Sequence, residues 1–178
     1  CDSFDSIKYF RNKVNLGLAG SRNVGIHNAN SEIITFLDAD DQFHVNKIKF
    51  QLRYLKDNHV VATEVCFVTN GTLANPISTL KKNFPIRKFS SPYQNLFFNK
   101  LVGSSLMAYK STLCSVDGYD ANLRSVEDFD LWIRLLSQDI VVILIKSPLY
   151  LYYDSFDSLS KDSNTVWSNI VRVVKKFI

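Results

Sequence analysis

Cysteine is scarce in this sequence, which has three among 178 residues: Cys1, Cys66 and Cys114. An odd number of distant thiols does not form a disulfide framework, and no C-x-x-C pair with nearby histidines indicates a zinc site. Long apolar runs are also lacking. The longest covers residues 140–145, a length that suits a buried strand and is far too short to cross a bilayer. No basic segment followed by an apolar one opens the sequence, so no signal peptide is expected.

The sequence also lacks a strong net charge of one sign, and this limits the kinds of binding partner that its charge can indicate. The net charge of +4 is compatible with an anionic substrate or a membrane surface but does not by itself indicate nucleic acid. A nucleic-acid-binding module would need clustered basic and aromatic side chains, and the basic stretch at residues 81–88 is too sparse for that. A Gly-rich phosphate loop, which a nucleotidyltransferase should display near its N-terminus, is also missing.

What the sequence does contain is apolar material for a core, with 46% hydrophobic residues that include 13 Phe and 8 Tyr. Apolar patterns predict strands at residues 33–37, 60–68, 106–109, 140–145 and 149–153. Helices are predicted at residues 20–28, 44–57, 126–136 and 166–178, and residues 6–11 are compatible with a short helix. Residues 70–92 are predicted to form a long basic loop. Strands that alternate with helices indicate an α/β layer architecture.

Two of the predicted helices are amphipathic. In helix 44–57 the side predicted to face the core consists of Val45, Ile48, Leu52 and Leu55. The opposite side, predicted to face solvent, carries Lys47, Lys49, Arg53 and Lys56. The C-terminal helix places Arg172, Lys175 and Lys176 opposite its apolar side, so it either packs on the core or lies against an anionic membrane surface.

Three carboxylates, Asp38, Asp40 and Asp41, directly follow the predicted strand 33–37. Strand ends border the ligand crevices of open α/β sheets, and residues two apart on an extended segment point the same way. Carboxylates about 4 Å apart repel by about 4 kcal/mol at an effective dielectric constant of about 20. Because no Lys or Arg lies within five residues, Mg²⁺ or Mn²⁺ would offset this repulsion. The alternative is that Asp41 caps the next helix and the other carboxylates are solvated.

A second acidic pair, Glu127-Asp128, lies in the first turn of the predicted helix 126–136. Acidic residues favour a helix N-terminus, and Ser125 with Asp128 resembles a capping box, so the pair alone is compatible with a structural role. A third group, taken singly, consists of turn residues and a surface charge: Asn15, Gly17, Arg22 and Asn23.

Together these segments resemble family 2 glycosyltransferases. Residues 15–25, N-L-G-L-A-G-S-R-N-V-G, are similar to the family's N-x-G-x-x-x-A-R-N-x-G block, with Ser21 where Ala is usual. Residues 32–41, E-I-I-T-F-L-D-A-D-D, resemble its strand and D-x-D motif. Residues 118–120 and 127–135, G-Y-D and E-D-F-D-L-W-I-R-L, resemble its G-[FY]-D and E-D-x-D-L-W-x-R-L blocks, and residues 150–160 resemble its Tyr-rich segment ending in S-L-S. Each block is weak alone, but their common order is a specific signal.

The resemblance implies a GT-A fold, which is a Rossmann-like nucleotide-diphospho-sugar transferase fold with a mixed sheet flanked by helices. It implies an inverting, hexosyltransferase-type enzyme of polysaccharide biosynthesis. The enzyme would move a sugar from a nucleotide-sugar, with a UDP-sugar expected, to a hydroxyl of a cell-surface glycan or lipid-linked precursor. The implied catalytic residues are Asp128, as the general base, and Glu127, and the implied metal ligands for Mn²⁺ or Mg²⁺ are Asp38 and Asp40. The implied nucleotide-sugar-binding residues are Asp38, Asp40, Asn15, Gly17, Arg22 and Asn23. The implied acceptor side consists of Trp132 and Arg134.

The start of the sequence departs from the family pattern. Residues 3–5, S-F-D, resemble the end of the family's D-D-G-S-T-D turn, so its first strand–helix–strand unit, about 30 residues or more, is expected to be missing. This predicts a partial GT-A domain at residues 1–164 and a C-terminal amphipathic helix at residues 165–178. The expected location is the cytoplasm, with peripheral contact at the inner face of the cell membrane as a further alternative. The alternative function is a catalytically inactive remnant that binds a nucleotide or a carbohydrate.

Overall fold

The computed structural model describes residues 7–69, 72–73, 84–94, 101–153 and 163–177, with the backbone alone at residues 72–73 and 163–164. Its strands are β1 (Ile33–Thr35), β2 (Gln42–Phe43), β3 (His59–Thr69), β4 (Thr72–Leu73), β5 (Ile86–Phe89), β6 (Met107–Tyr109) and β7 (Val141–Tyr153). Its helices are α1 (Gly17–Asn28), α2 (Lys47–Leu52), α3 (Lys110–Ser115), α4 (Glu127–Ser137) and α5 (Ser163–Val174), and a 3-10 turn covers Gly103–Ser105. Strands and helices alternate, so the predicted α/β class is confirmed.

All of these strands belong to one mixed sheet with the order β1-β6-β3-β7-β2, in which β4 also pairs with β3 and β5 with β7. The long strands β3 and β7 are parallel, and the other pairings are antiparallel. On its other edge, β7 pairs with β5 through residues 142–145 and with β2 through residues 150–151. The first half of β7 therefore belongs to the core, and its second half reaches the segment that follows β1.

Both faces of the two central strands are buried, which is why they are almost continuously apolar. On one face, α1 and α4 cover a cluster that includes Ile26, Val60, Ala62, Trp132, Leu136, Val142 and Leu144. On the other face, α2 covers Phe50, Val61, Ile143, Ile145 and Leu149. Neighbouring residues of a strand alternate between the two clusters, as the pleat of a strand requires.

Helix α2 is shorter than the predicted helix 44–57 and faces the other way. Its buried residues are Lys47, Phe50 and Gln51. Three residues predicted to face the core are exposed instead: Val45 by 88%, Ile48 by 39% and Leu52 by 46%, whereas Leu55 does pack on the core. Lys47 was predicted to face solvent and has no exposed surface, because its ammonium donates hydrogen bonds to Thr35 and Gln51 inside the protein. The predicted orientation is therefore wrong.

The two strands predicted around Pro148 form one strand, β7. Pro148 lies opposite Glu64, where the pairing between β3 and β7 shifts register, and between the stretches that pair with β5 and β2. A residue without an N–H is tolerated at such an irregularity. Strand β7 can therefore connect the core to the segment around β2 without a break.

Two other predictions need correction. The predicted loop 70–92 contains strand β5 and the short strand β4, while residues 70–71 and 74–83 lie outside the described part. Residues 7–11 are not helical, and Ser6 is not among the described residues. The S-F-D segment at residues 3–5 and the end of the Tyr-rich block at residues 154–160 also lie outside them.

The C-terminal helix α5 packs on α4. Its apolar residues Ile170, Val173 and Val174 contact a small cluster formed by Leu123, Val126, Phe129 and Ile133. Lys176, just after the helix, donates to Asp120 at 2.7 Å and to Asp130 at 2.8 Å, so this cation is used within the fold. The separate unit predicted at residues 165–178 and its membrane contact stay predictions. Within the described ranges, no helix combines the length and the apolar character needed to span a bilayer.

Candidate functional site

The acidic turn after β1 is fixed by residues of β7. Asp41 is 7% exposed, and its carboxylate accepts hydrogen bonds from the Tyr150 hydroxyl at 2.7 Å and the Tyr153 amide at 2.9 Å. The Tyr150 hydroxyl also accepts from the Asp38 amide at 3.2 Å. Burial raises the pKa of Asp41, and the bonds from Tyr150 and Tyr153 oppose that rise. Asp41 therefore does not cap the following helix, which was the alternative considered from the sequence.

Arg22 of α1 connects the two acidic groups. Its Nη2 donates to both carboxylate oxygens of Asp38, at 2.9 and 3.1 Å, and its Nη1 donates to Oε1 of Glu127 at 3.2 Å. The Arg22 side chain is 8% exposed, against 28% for Asp38 and 11% for Glu127. Arg22 is therefore a buried structural cation, and it offsets the carboxylate repulsion for which sequence reasoning invoked only a metal.

The surroundings of Arg22 keep it charged. Its guanidinium carbon lies 5.7 Å from the ring centroid of Phe36 and 5.3 Å from that of Tyr119, distances at which aromatic rings attract cations. Burial opposes the charge, but interactions with Tyr119, Asp38 and Glu127 outweigh it, so the pKa of Arg22 lies above its ordinary value. The side chain thus carries a permanent positive charge between the two acidic groups.

The second acidic pair begins helix α4 after an unusual backbone turn. Val126 has φ of 56°, in the left-handed region that a β-branched residue rarely adopts. Such strain is typical of functional segments and persists because the surroundings hold it, here the cluster under α5. The predicted capping box is wrong, since the helix cap is Val126 and the Ser125 hydroxyl accepts instead from Asn169 at 2.9 Å.

Asp128 is held by two backbone amides. Its Oδ2 accepts from the Gly103 amide at 3.2 Å and its Oδ1 from the Phe129 amide at 2.7 Å. The approach of Gly103 is close, since a Cβ there would lie 2.5 Å from the Cβ of Asp128. Burial raises the pKa of Asp128 above that of an ordinary Asp, although both amides oppose the rise. Asp128 is therefore a stronger proton acceptor than an exposed aspartate.

These groups line one cleft with a volume of about 540 Å³. Its acidic and basic lining consists of Arg22, Asp38, Asp40, Arg124, Glu127 and Asp128. The fold thus brings the D-x-D turn and the E-D pair, far apart in sequence, to the same opening. An acidic pair on each side of a buried cation suits a reaction in which one pair binds a phosphate through a metal ion and the other pair accepts a proton.

Three of the predicted nucleotide-sugar-binding residues lie outside the cleft lining. Asn15 accepts at its Oδ1 from the Gly17 amide at 2.9 Å, a turn that precedes the body of α1. Asn23 exchanges hydrogen bonds with the backbone of Tyr119, donating at 2.7 Å and accepting at 2.8 Å. Both asparagines therefore have structural partners, and a direct contact of these residues with a nucleotide stays a prediction.

The predicted acceptor-side residues also lie elsewhere. Trp132 has no exposed surface and belongs to the core under α4. Arg134 donates to Asp130 at 2.7 Å and to the carbonyl of Val116. Neither side chain lines the cleft, so their placement gives no support to an acceptor-side role.

Sequence reasoning missed several residues of the cleft. They are Leu18, Val102, Gly103, Ser104, Arg124 and Tyr152. One local signal was the small-residue segment Gly103-Ser104-Ser105 just before a predicted strand. A single sequence does not show that the approach to Asp128 requires a glycine there. Arg124 carries no signal of its own, and Tyr152 belongs to the Tyr-rich block at residues 150–160, which does not single it out.

The donor set fits a divalent cation that shares its ligands with a phosphate. Asp40 is exposed in the cleft and makes no ion pair or hydrogen bond with any described residue. Each oxygen of Asp38 accepts one bond from Arg22 and retains a second lone pair. Among the described residues, no three His, Cys, Asp or Glu side chains lie together in a way that could hold a metal ion. Mg²⁺ typically uses one or two carboxylates plus substrate phosphates, so Asp40 with Asp38 matches that mode.

Comparisons with known sequences all point to one kind of protein, the glycosyltransferases. Residues 1–109 match the family model described as glycosyl transferase family 2. The uncharacterized glycosyltransferase RC0461 of Rickettsia conorii is 31% identical over 146 residues, which cover 79% of this chain and 23% of that protein. The glucosyltransferase WfgD of Escherichia coli is 25% identical over 138 residues, 75% of this chain and 49% of WfgD. The chain thus spans a quarter to a half of the length of these relatives.

Comparison with solved structures identifies the fold. The crystal structure of GalNAc-T7 with UDP, GalNAc and Mn²⁺ superposes with a TM-score of 0.67 at 16% identity, covering 93% of this chain and 36% of GalNAc-T7. That protein is a GT-A glycosyltransferase, so the predicted GT-A architecture is confirmed.

Proposed function

The chain belongs to glycosyl transferase family 2, and we propose that it transfers a sugar from a nucleotide-sugar to a hydroxyl of a glycan or glycolipid precursor. The observation that carries the proposal is the single cleft in which Asp38 and Asp40 lie across Arg22 from Glu127 and Asp128. One side offers ligands for a diphosphate with its cation, and the other offers a base for the attacking hydroxyl.

On the donor side, Asp40 and Asp38 are the proposed ligands of a divalent cation. Mn²⁺ or Mg²⁺ bound there would neutralise charge on the leaving diphosphate. Arg22 pairs with Asp38 and fixes the direction of its carboxylate, while Tyr150 and Asp41 hold the turn. The presence of UDP and Mn²⁺ with GalNAc-T7, which shares the fold, favours a UDP-sugar and a metal for this chain too.

On the acceptor side, Asp128 is the proposed general base. The acceptor oxygen forms a bond to the anomeric carbon as the bond from that carbon to the diphosphate oxygen breaks, and the hydroxyl proton passes to a carboxylate oxygen of Asp128. One such displacement inverts the anomeric configuration. The amides of Gly103 and Phe129 aim the carboxylate, and each oxygen keeps a lone pair for the proton. Glu127, bound to Arg22, supports this side of the cleft rather than exchanging protons.

The acceptor class rests on similarity to WfgD. That relative is named for transfer from UDP-Glc to an N-acetylglucosamine carried on diphosphoundecaprenol. A lipid-linked glycan precursor of a cell-surface polysaccharide is therefore the proposed acceptor. The cytoplasmic location and the peripheral membrane contact belong to the same proposal.

A nucleotide-release assay on the intact protein tests the proposal. UDP-, GDP- and dTDP-sugars would be supplied with Mn²⁺, Mg²⁺ or EDTA, together with lipid-linked acceptors. We expect metal-dependent release that Asp40→Asn abolishes and that Asp128→Asn lowers by about 10²- to 10⁴-fold, the range for loss of a general base. The control is Asp57→Asn, since Asp57 is exposed and lies outside the cleft.

Donor binding separates the outcomes. Asp128→Asn should retain nucleotide-sugar affinity, because the base acts on the acceptor, and product NMR should find the inverted anomer. Metal-dependent donor binding without turnover on any acceptor would favour the inactive binding remnant instead. If no nucleotide-sugar binds with metal present, both hypotheses fail.

A further inference from the structure

A buried polar network lies between α2 and the strands on either side of the cleft turn. Lys47 and Gln51 are both fully buried. The Lys47 ammonium donates to Thr35 Oγ1 at 3.0 Å and to Gln51 Oε1 at 2.7 Å, and it lies 4.1 Å from the ring centroid of Phe43. Its contacts in the described structure include no ion pair with a carboxylate. Burying a lysine ammonium without a counter-charge costs free energy, and its hydrogen bonds offset part of this cost.

Lys47 and two backbone carbonyls together fix which way the Gln51 amide points. With its oxygen on Lys47, the Gln51 amide nitrogen donates to the carbonyl of Val61 at 2.7 Å and to that of Ser105 at 2.9 Å. A reversed amide would place its oxygen against both carbonyls and its NH₂ group against the ammonium. The Gln51 nitrogen is therefore committed to the Ser105 carbonyl.

Ser105 closes the same 3-10 turn that Gly103 opens. The Ser105 amide and hydroxyl both donate to the Val102 carbonyl, at 3.0 and 2.8 Å, which makes the turn compact. At its other end, the Gly103 amide donates to Asp128 at 3.2 Å. That bond is near the upper limit for an N–H donor, so an outward movement of about 0.5 Å would break it. The turn lies so close to Asp128 that a Cβ added at Gly103 would be 2.5 Å from the Asp128 Cβ.

We propose that Gln51, with its amide oriented by Lys47, is a positioning residue that holds the Gly103–Ser105 turn and thereby aims Asp128. The inference deepens the proposed function and rests on the role of Asp128 as general base. Gln51 touches neither the cleft nor Asp128, and it acts through the turn. Its loss should therefore lower the rate of the chemical step and leave donor binding unchanged.

The test compares Gln51→Met with Gln138→Met in the intact protein. Gln138 is an exposed glutamine whose amide also donates to a backbone carbonyl, that of Ser115 at 3.3 Å, away from the turn. Gln51→Met should lower kcat by about 10- to 100-fold with little change in the KM for donor, the effect of misplacing a catalytic group. Hydrogen exchange of the Gly103 amide, followed by NMR, should accelerate by about tenfold or more. Gln138→Met should leave all three quantities unchanged.

Two further variants separate positioning from general stability. Gln51→Glu keeps the size and the bond to Lys47 but cannot donate to Ser105, so it should accelerate Gly103 exchange as Gln51→Met does. Lys47→Met keeps both Gln51 donors and should affect Gly103 exchange less than either Gln51 variant, whatever its effect on unfolding. Unchanged Gly103 exchange in folded Gln51→Glu would overturn the proposal, and so would a rise in donor KM with unchanged kcat. If the wild-type protein turns over no donor, the proposed function fails, while the exchange measurement still decides the positioning role.

Discussion

Arg22 and Glu127 lie 105 residues apart in the sequence and meet through a 3.2 Å hydrogen bond from Nη1 to Oε1. The same guanidinium holds both oxygens of Asp38 through Nη2. One buried cation therefore offsets the charge of a carboxylate from each side of the cleft, and the two sides are not independent.

Replacing Arg22 should be strongly destabilising. Arg22→Met leaves two partly buried carboxylates without their cation, and we expect a loss of about 3 kcal/mol in the free energy of unfolding, as for other broken buried pairs. Urea unfolding measures this loss. Arg172→Met is the matched control on the exposed side of α5 and should change stability by less than about 0.5 kcal/mol. Equal effects of the two substitutions would contradict the structural role of Arg22.

Removing the Tyr150 hydroxyl should loosen the acidic turn in a pH-dependent way. Tyr150→Phe leaves Asp41 buried with one hydrogen bond fewer, which should cost about 1–3 kcal/mol of unfolding free energy at neutral pH. Burial already raises the pKa of Asp41, and the lost bond opposed that rise. An Asp with a raised folded-state pKa loses stability as pH rises through its titration, so the penalty should be larger near pH 7 than near about pH 4.

Tyr153→Phe provides the control for this measurement. The Tyr153 hydroxyl donates to Oε1 of the exposed Gln42 at 3.2 Å, so its removal should have a small effect at either pH. A pH-independent penalty in Tyr150→Phe would show that the ionised form of Asp41 is not the group that the hydroxyl stabilises.

Lys47 should make the wild-type protein more stable as the pH rises. Burial lowers the pKa of Lys47 from 10.5 to about 7. Between these pH values the unfolded chain holds a proton that the folded chain has released, so stability rises with pH, by at most about 1.4 kcal/mol per pH unit. Relative to Lys47→Met, the wild type should therefore gain stability between about pH 7 and about pH 10. Lys49→Met, on the exposed side of α2, should run parallel to the wild type. Parallel curves for wild type and Lys47→Met would contradict the prediction.

Glycine is required at position 103 for the approach to Asp128. In Gly103→Ala the new Cβ would lie 2.5 Å from the Asp128 Cβ, so the turn or the helix start must shift. We expect kcat to fall by about 10- to 100-fold with donor affinity retained, because the shift misplaces the proposed base. Gly25→Ala is the control. A Cβ at Gly25, within α1, meets nothing within 4 Å, so this substitution should stabilise the protein by about 0.5–1 kcal/mol and preserve activity. An active Gly103→Ala would contradict the proposed geometry.

The features that could be predicted from the sequence are those encoded by neighbouring residues. The apolar stretches that became β3 and β7 have the lengths and residue types of buried strands, and the family-like blocks at Asp38 and Asp128 mark the two ends of the cleft. Local patterns of this kind predict the fold class and the acidic composition of the site.

The remaining features depend on residues that are distant in the sequence. The apolar spacing in helix 44–57 favours Val45 and Ile48 as core residues, because it cannot show that Thr35 will provide a buried partner for Lys47. Similarly, nothing beside Asp38 reveals that Arg22 offsets its charge. Asp41 looked like a helix cap because its partner Tyr150 comes more than one hundred residues later. Burial of a polar side chain is set by such partners, and single-sequence patterns do not contain them.

The parallel pairing of β3 with β7 has a consequence for how the protein folds during its synthesis on the ribosome. Arg22 and the acidic turn are synthesised before Tyr150 and the second half of β7, which follow more than one hundred residues later. Contacts this distant require closure of long loops, which slows folding. A nascent chain that has exposed its D-x-D motif thus carries concentrated negative charge without a finished binding surface. A fragment that ends before β7 would therefore carry the D-x-D motif without the hydrogen bonds that hold its turn.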